Sequence, residues 1–473
     1  MRTLTFICLI VTLGAGPAPA ADWPHWGGGL GRNMVNPDEK NLPTTWDVES
    51  GHNVKWIARL GSLAYGNPVV ADGRVFVGTN NGGRYDKDIT GDRGNILCFR
   101  ESDGAFLWQA VHDKLAAGRV NDWPRQGICS ALEVQGDRAW YLSNRCEAVC
   151  IDTAGFHDEE NDGLTDEQYQ GPNKADIVWS FDMIEELGVF PHNLATSSPL
   201  VLGDLVLLVT GNGVDEGHLN IPMPIAPSFV AFDKNEGDLL WEFTVHGRVL
   251  HGQWSSPSAG VVNGKTLALF PGGDGWVYAL DPKTGAEIWR FNCNPPDSEW
   301  ELGGYGTKNN LIATPVFADG RVYIGVGQDP EHGTGIGHLY CIDAGGQGDV
   351  TNTHQVWHRG DDDFGRTMST VAVADGLLYV ADLAGMFYCL DIKNGQAVWT
   401  HDLKSAMWGS PMLVDGKVYI GDENGHINIF AHSRQKEIVN VVDMDEPVYA
   451  TPVAANGVLY VATKSKLYAL ATR

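Results

Sequence analysis

The sequence predicts an all-β protein, an eight-bladed β-propeller of four-stranded antiparallel blades. Three observations support this fold. A short strand, a tight turn and a tryptophan recur along the chain. Two further strands, often joined by an Asp-Gly or Asn-Gly hairpin, precede each copy. Successive tryptophan anchors lie 42 to 71 residues apart, and the short end of that range is close to the length of one blade.

The repeated strand is the third of each predicted blade. Its copies are LCFR (97–100), VCID (149–152), VAFD (230–233), YALD (278–281), YCID (340–343), YCLD (388–391), NIFA (428–431) and YALA (468–471). In four copies a tryptophan follows by eight residues, two copies carry insertions before theirs, and the seventh has Val439 there. A buried indole covers a large apolar area. We therefore interpret the tryptophan as a wedge between neighbouring blades, with room made by the glycine that precedes it.

The eighth copy ends before its fourth strand, at Arg473. Residues 54–60, VKWIARL, carry the strand-and-tryptophan pattern without preceding strands of their own. Pairing this segment beside residues 467–470 would close the ring and remove the exposed sheet edges. We therefore predict a single propeller domain over residues 54–473, preceded by an N-terminal extension over 21–53.

Residues 1–20 have the form of a signal peptide: a basic Arg2, an apolar run over 4–15 and the small-x-small end Ala18-Pro19-Ala20. They predict an exported protein, periplasmic or secreted. No later stretch approaches 18 apolar residues, so no membrane span is expected. The 33 basic and 59 acidic residues give a net charge of −26, which argues against nucleic acid or anionic membranes as partners.

Strand alternation places the long connections on one side of the ring, here called face one. These connections are residues 79–95, 110–126, 183–195, 211–228, 244–253, 293–310 and 327–338. The opposite side, face two, carries mostly minimal turns. Long loops on a rigid scaffold are where binding sites are usually built, so we expect the site on face one.

Two columns of residues should line the entrance on face one. Small polar residues stand just before each first strand: Asn67, Ser130, Ser198, Ser256, Thr314, Thr370, Ser410 and Thr451. Two positions earlier, Tyr65, Trp254, Trp408 and Tyr449 would offer flat surfaces around a central funnel. Just outside them lie the cations Arg125, His192, His251, Lys308 and Arg366. Aromatic planes and cations together suit a flat anionic ligand. The alternative is that the cations pair with nearby carboxylates and the aromatic side chains fill the channel.

The segments DPKTGAEIW (281–289) and DIKNGQAVW (391–399) resemble the pyrroloquinoline-quinone-type (PQQ-type) propeller repeat. That family includes quinone-dependent dehydrogenases and the propeller that assists outer-membrane protein assembly. The resemblance implies PQQ and calcium as candidate cofactors, and a small anionic ligand or an envelope protein as candidate partners.

The sequence also departs from the dehydrogenases that this repeat resembles. It has no adjacent Cys-Cys pair, no Cys-x-x-Cys-His haem motif and no complete catalytic motif. Our leading expectation is therefore an exported scaffold that binds a ligand or a protein at the cell envelope. The alternative is a PQQ-dependent alcohol or sugar dehydrogenase.

Two sets of side chains are candidate metal ligands. In FHDEENDGLTDEQYQG (156–171), the spacing resembles the start of a calcium loop, with candidate ligands Asp158, Glu160, Asp162 and Asp166. A solvated acidic loop is the alternative. The histidine-containing loops GNGVDEGHLN (211–220) and GQDPEHGTGIGHL (327–339) would form a second site only if they converge; its candidates are Asp215, Glu216, His218, Glu331, His332 and His338.

The cysteines fall into two groups. Cys98, Cys150, Cys341 and Cys389 share one column of the third strands, where free buried thiols are expected. Cys129 and Cys146 belong to the same predicted blade and could form a disulfide.

Overall fold

Eight four-stranded antiparallel blades surround a central axis in the computed structural model. The structure describes residues 21–360 and 363–472. The proposed signal peptide, residues 1–20, lies outside the described residues. No helix within the described ranges is long and apolar enough to cross a membrane.

Each blade is a meander of four strands whose first member lies nearest the axis. Blades one and two comprise Val69–Ala71, Arg74–Asn80, Arg93–Arg100, Phe106–Asp113 and then Glu133–Gln135, Arg138–Leu142, Glu147–Asp152, Asp176–Asp182. Blades three and four comprise Leu200–Leu202, Leu205–Val209, Phe229–Asp233, Leu239–Phe243 and then Ser258–Val262, Lys265–Pro271, Trp276–Leu280, Glu287–Asn292. Blades five and six comprise Val316–Ala318, Arg321–Val326, His338–Asp343, Gln355–Arg359 and then Ala372–Ala374, Leu377–Ala381, Met386–Asp391, Ala397–Asp402. Blade seven comprises Met412–Val414, Lys417–Gly421, His426–Ala431 and Ile438–Asp443.

The two ends of the chain together build blade eight. Val453–Ala455, Val458–Ala462 and Lys466–Leu470 supply three strands, and Val54–Arg59 supplies the fourth. This last pair is antiparallel, with Trp56 opposite Ala469 and Arg59 opposite Lys466. The predicted closure of the ring is confirmed.

Hydrogen bonds from tryptophan side chains link seven neighbouring pairs of blades. Each indole N–H donates to a backbone carbonyl in the turn between strands three and four of the next blade, over 2.8–3.1 Å. The donors are Trp56, Trp108, Trp179, Trp241, Trp289, Trp357 and Trp399. In blade seven Asn440 occupies the equivalent position, opposite Ile429, one residue beyond the Val439 that the sequence spacing indicated, and it has no indole to donate. The tryptophan therefore acts between blades, as the sequence predicted.

The glycine of the tight turn serves a different tryptophan from the one predicted. A Cβ added at Gly285 would lie 2.7 Å from the ring of Trp241, which belongs to the preceding blade, and not against Trp289 of its own blade. The rings of Trp56 and Trp357 pack against Gly104 and Gly395 in the same way. The positive φ of these glycines and the close ring both exclude a side chain.

A ring of hydrogen bonds joins the innermost strands around the axis. From blade three to blade one, each backbone N–H in the small polar column donates to the side-chain oxygen of the next member, over 2.7–3.3 Å. The links run from Ser198 through Ser256, Thr314, Thr370, Ser410 and Thr451 to Asn67. The column therefore satisfies backbone donors that face a channel instead of a neighbouring strand.

The N-terminal extension crosses the face-two end of the channel and contacts every blade in turn. Its partners, from blade one to blade eight, are Val70, Val134, Pro199, Ala259, Phe317, Val373, Leu413 and Ala454. Arg32 is fully buried, and its guanidinium donates to the carbonyls of Trp26, Pro199 and Pro257. The extension is thus a plug that closes one end of the ring.

Helical and additional strand segments are short. The α-helix Met183–Leu187 is capped by Asp182, whose carboxylate accepts from the backbone N–H of Ile184 and Glu185. The 3-10 segments are Asn81–Gly83, Gly118–Val120, Gly155–Asp158 and Pro330–His332, and the extra strands are Val35–Asn36 and Gly348–Asp349. All seven cysteines of the described ranges are free thiols, including Cys129 and Cys146.

Replacing Gly285 tests the contact between blades. Gly285→Ala should lower the free energy of unfolding by about 2–4 kcal/mol, because Ala is strained at this positive φ and its methyl group meets the Trp241 ring. Gly264 has a similar φ with nothing within 4 Å of an added Cβ, so Gly264→Ala should cost only about 1 kcal/mol. Urea unfolding measures both. Equal losses would show that the indole contact contributes nothing.

Candidate functional site

The plugged channel forms a funnel of about 370 Å³ on the axis. Seven of the eight small polar column residues line it, and Trp26 of the extension lies at its inner end. Face-one loops continue its wall through Trp123, Asn193 and Asp329. The funnel therefore lies where the sequence predicted a binding site, and it is closed behind by the N-terminal extension.

Four aromatic side chains predicted for the funnel all line it. Tyr65 packs between Trp408 and Tyr449, with ring centroids 5.6 and 4.9 Å away, and Trp408 and Tyr449 are 5.2 Å apart. Trp254 lies on the wall, and its indole N–H donates to the carbonyl of His192 over 2.9 Å. All four rings are half-buried, so part of each face is available to a ligand.

No Arg, Lys or His of the described ranges lines the funnel, whereas Asp329 and Glu331 do. Arg125 is exposed, and Lys308 borders a separate small cavity with His251. The expected combination of cations and aromatic planes is therefore not brought together. The funnel offers aromatic faces, hydroxyl groups and carboxylates.

The Arg366 side chain is buried and bonded to the backbone of the protein itself. The residue is only 3% exposed, and its guanidinium donates to the carbonyls of His332, Gly304 and Gly306 over 2.6–2.8 Å. Its Nε also donates to Asn309 Oδ1 over 3.2 Å. These bonds hold two face-one loops together, so this cation is committed to the protein's own backbone.

His192 and His251 belong to a second feature, the histidine cluster, made of His192, His218, His251, His332 and Asp329. Four different face-one loops supply these residues. The ring centroid of His251 lies 4.5 Å from those of His192, His218 and His332. One nitrogen from each of His192, His218 and His251 falls within a group no wider than 4.8 Å, and His251, Asp329 and His332 form a second such group. The loops carrying His218 and His332, whose convergence the sequence left open, do come together, with ring centroids 5.6 Å apart.

The other four candidates on those two loops do not join the cluster. The Asp215 carboxylate accepts hydrogen bonds from Leu219 and Asn220 of its own loop. His338 lies 3.1 Å from His358 in a separate pair. Glu216 approaches Arg119, and Glu331 lines the funnel instead.

Burial favours the neutral form of two imidazoles in the cluster, those of His192 and His218. It lowers the pKa of His192 to about 3, with a further contribution from neighbouring His251, and it lowers the pKa of His218. Asp329 is also buried, but its interactions with His251 and His332 outweigh the desolvation and hold the pKa of its carboxyl far below the ordinary range. At neutral pH the cluster thus contains a carboxylate beside at least two uncharged imidazoles.

The acidic loop of blade two does not gather its proposed calcium ligands. Asp162 pairs with Arg138 over 2.7 Å, while Asp158, Glu160 and Asp166 are exposed. Within the described ranges, no three of these four carboxylates come within 4.8 Å of one another. The geometry is that of a solvated loop anchored by one ion pair.

A family model described as outer membrane protein assembly factor BamB (PQQ_2) matches residues 172–361 and 337–473. These segments together cover more than half of the chain. The chain belongs to the PQQ_2 family. This agrees with the resemblance of its turn motifs to the PQQ-type repeat.

Curated relatives of this PQQ_2 member carry two kinds of name. The dehydrogenase subunit of a quinone alcohol dehydrogenase from Komagataeibacter europaeus is 24% identical over 91% of this chain and 56% of its own length. Outer membrane protein assembly factor BamB from Yersinia pestis is 24% identical over 60% of this chain and 63% of its own length. The chain thus spans less than two thirds of these relatives.

Solved structures show the same fold. BamB from Moraxella catarrhalis superposes with a TM-score of 0.53 at 16% identity, over 88% of this chain and 96% of that one. A europium-containing methanol dehydrogenase gives 0.62 at 13% identity, over 95% and 98%. At these identities the likeness concerns the propeller alone.

The funnel residues do not fit PQQ with calcium. The carboxylates of PQQ call for cationic partners, but the lining in the described ranges has none and places Asp329 and Glu331 there. Calcium requires several converging oxygen ligands, and the two candidate metal groups found in those ranges are dominated by histidine nitrogen.

Sequence reasoning missed three features of the site: the plug, the role of Asp329 and the joining of His192 and His251 to His218. No periodic pattern marks residues 21–53 or these loops. The one available signal was that His192 and His251 stand at nearly the same distance before neighbouring first strands, six residues before Ser198 and five before Ser256.

The stabilities of two variants distinguish a structural side chain from a side chain that is available for binding. Arg366→Ala should lower the free energy of unfolding by about 2–5 kcal/mol, because it leaves buried carbonyls without donors. Trp408→Ala removes a half-buried ring and should cost about 1 kcal/mol or less. Chemical denaturation provides the comparison, and a stable Arg366→Ala protein would contradict the structural role.

The buried His192 predicts a stability that falls with acidification. Its imidazole takes up a proton near pH 6.5 in the unfolded chain but only near pH 3 in the folded one. Between these values, each unit of pH lost should cost about 1.4 kcal/mol from this residue alone. Urea unfolding of wild type and His192→Gln at pH 7 and pH 4.5 measures the difference; equal pH dependence would contradict it.

Proposed function

We propose that this protein is a non-catalytic binding propeller of the cell envelope, whose funnel holds a small neutral or cationic molecule with a flat or apolar part. One observation carries the proposal: the funnel combines four half-buried aromatic rings with carboxylates and no cation among its described lining residues. This lining differs from the anionic-ligand site that the sequence predicted.

Each part of the lining has a role in such binding. Tyr65, Trp408 and Tyr449 form a three-ring cluster whose open faces stack on a flat group or attract a cation. The carboxylates of Asp329 and Glu331 favour positive charge at the wall. The hydroxyl column is largely occupied in joining the blades, so it holds the shape of the funnel.

The location at the envelope rests on two supports. Residues 1–20 have the pattern of an export signal, and relatives are named outer membrane protein assembly factor. An envelope protein is the second candidate occupant of face one. Ile225 and Tyr305, on face-one loops, are 85% and 83% exposed, which favours contact with such a partner.

Titration with benzyltrimethylammonium tests the funnel. This cation should bind the wild type in a saturable manner, and Trp408→Ala should weaken it by about 3- to 30-fold, because one cation–π and stacking face is lost. PQQ should not bind at micromolar concentrations, since its carboxylates would meet Asp329 and Glu331. Calorimetry measures both affinities.

The control is Val261→Ala, which trims an exposed side chain on a blade strand and should leave binding unchanged. Micromolar binding of PQQ, with reduction of an artificial electron acceptor by an alcohol or sugar, would overturn the proposal in favour of a quinoprotein dehydrogenase. A flat titration with both compounds would leave the protein-binding scaffold as the function of this face.

A further inference from the structure

The four histidines of the cluster have no part in the proposed funnel chemistry, which shares only Asp329 with the cluster. His192, His218, His251 and His332 come from four loops that are far apart in sequence. His192 and His251 are 1% and 3% exposed. Four imidazoles gathered in a protein with only 15 histidines call for a chemical reason.

The hydrogen bonds of the cluster leave the Nε2 atoms of His192 and His251 free to bind a metal ion. His192 Nδ1 lies 2.8 Å from the carbonyl oxygen of Val214, which can only accept, so Nδ1 carries the proton and Nε2 carries the lone pair. The Nε2 atoms of His192 and His251 are buried and have no hydrogen-bond partner among the described residues. Buried polar atoms without partners are costly, and a ligated ion would satisfy both.

Asp329 stands behind the cluster as a positioning residue. Its Oδ2 forms a hydrogen bond of 2.8 Å with Nδ1 of His332, and it lies 2.8 Å from Nδ1 of His251 as an ion-pair contact without hydrogen-bond geometry. A carboxylate that accepts from Nδ1 fixes the tautomer and turns Nε2 toward a metal, which is the usual arrangement behind metal-binding histidines.

We infer that His192, His218 and His251 form a binding site for a borderline divalent transition metal such as Zn²⁺. Imidazole nitrogen suits Zn²⁺, Cu²⁺ or Ni²⁺, whereas Ca²⁺ and Mg²⁺ prefer oxygen ligands. The cluster supplies three nitrogens and leaves a further position for water, for His332 or for a ligand. The inference goes beyond the proposed function, because none of the three ligating histidines lines the funnel.

Space and distance agree with a single ion. A cavity of about 10 Å³, room for one water or ion, borders His218, His251 and His332. The ligand atoms of the three-histidine group lie within 4.8 Å of one another. In a tetrahedral zinc site the ligating nitrogens are about 3.4 Å apart. Side-chain rotations that move these nitrogens by about 1 Å would bring the three histidines to that spacing.

The site also touches the wall of the funnel. Asp329 lines the funnel and contacts His251, and the Trp254 ring lies 4.9 Å from the His251 ring. Indole fluorescence is therefore expected to report an ion at the cluster.

Calorimetric titration with ZnCl₂ on the chelator-treated full chain tests the inference. We expect one site with a Kd below about 10 μM in wild type, and Co²⁺ should give the visible absorption of a tetrahedral complex. His218→Gln, at a half-buried position, should weaken Zn²⁺ binding at least 100-fold, and Asp329→Asn about 10- to 100-fold. His246→Gln is the matched control, since His246 lies on a face-one loop but outside the cluster.

Thermal unfolding with and without Zn²⁺ supplies a second readout, because an ion that binds only the folded protein raises the midpoint. The rise should occur in wild type and His246→Gln and be absent in His218→Gln. A wild type that binds no Zn²⁺, or a His218→Gln variant that binds it as tightly as wild type, would overturn the inference. The Trp408→Ala result with benzyltrimethylammonium is independent, so failure of one proposal is distinguishable from failure of the other.

Discussion

The architecture depends on one repeated interaction: in seven blades an indole donates its N–H to a carbonyl in a turn of the next blade, and five of these indoles also pack against the glycine of that turn. The contact combines burial of a large apolar ring with satisfaction of its one polar atom. Because the donor and the receiving turn belong to neighbouring blades, each blade is stabilised by the presence of the next. A single four-stranded blade could not bury these rings on its own.

The ring of blades closes for the same reason, since each blade is stabilised by contact with its neighbour. A ring of blades needs a partner for the first and the last, and pairing Val54–Arg59 with Lys466–Leu470 provides it inside one sheet. Trp56, on the closing strand, then donates to the turn of blade one. The break occurs between blades seven and eight, where Asn440 stands in place of the tryptophan. The backbone-to-hydroxyl bonds around the axis still cross that boundary, through Ser410 and Thr451.

The centre of the ring is converted from a channel into a funnel by the N-terminal extension. Arg32 makes this possible, because its buried guanidinium satisfies carbonyls of blades three and four that would otherwise face the channel. Arg366 serves a related purpose on face one, where it joins two loops. In both places an arginine side chain is bonded to backbone carbonyls. These cations therefore do not line the funnel, whose wall consists of aromatic rings, hydroxyl groups and carboxylates. The histidine cluster is the remaining polar group whose internal hydrogen bonds leave ligating atoms free.

The sequence by itself determined the number of blades, their strands, the closing pair and the four aromatic side chains of the funnel. These follow from local rules that recur at fixed spacing: alternation along strands, positive-φ turns at Asp-Gly and Asn-Gly, and one tryptophan per copy. Only the tertiary structure decided which glycine receives which tryptophan, where residues 21–53 run, and which cations face the funnel. It also brought His192, His218, His251 and His332 together. The physical reason is that these outcomes depend on long, non-periodic loops, whose side-chain directions are set by contacts between blades and not by neighbours in the chain.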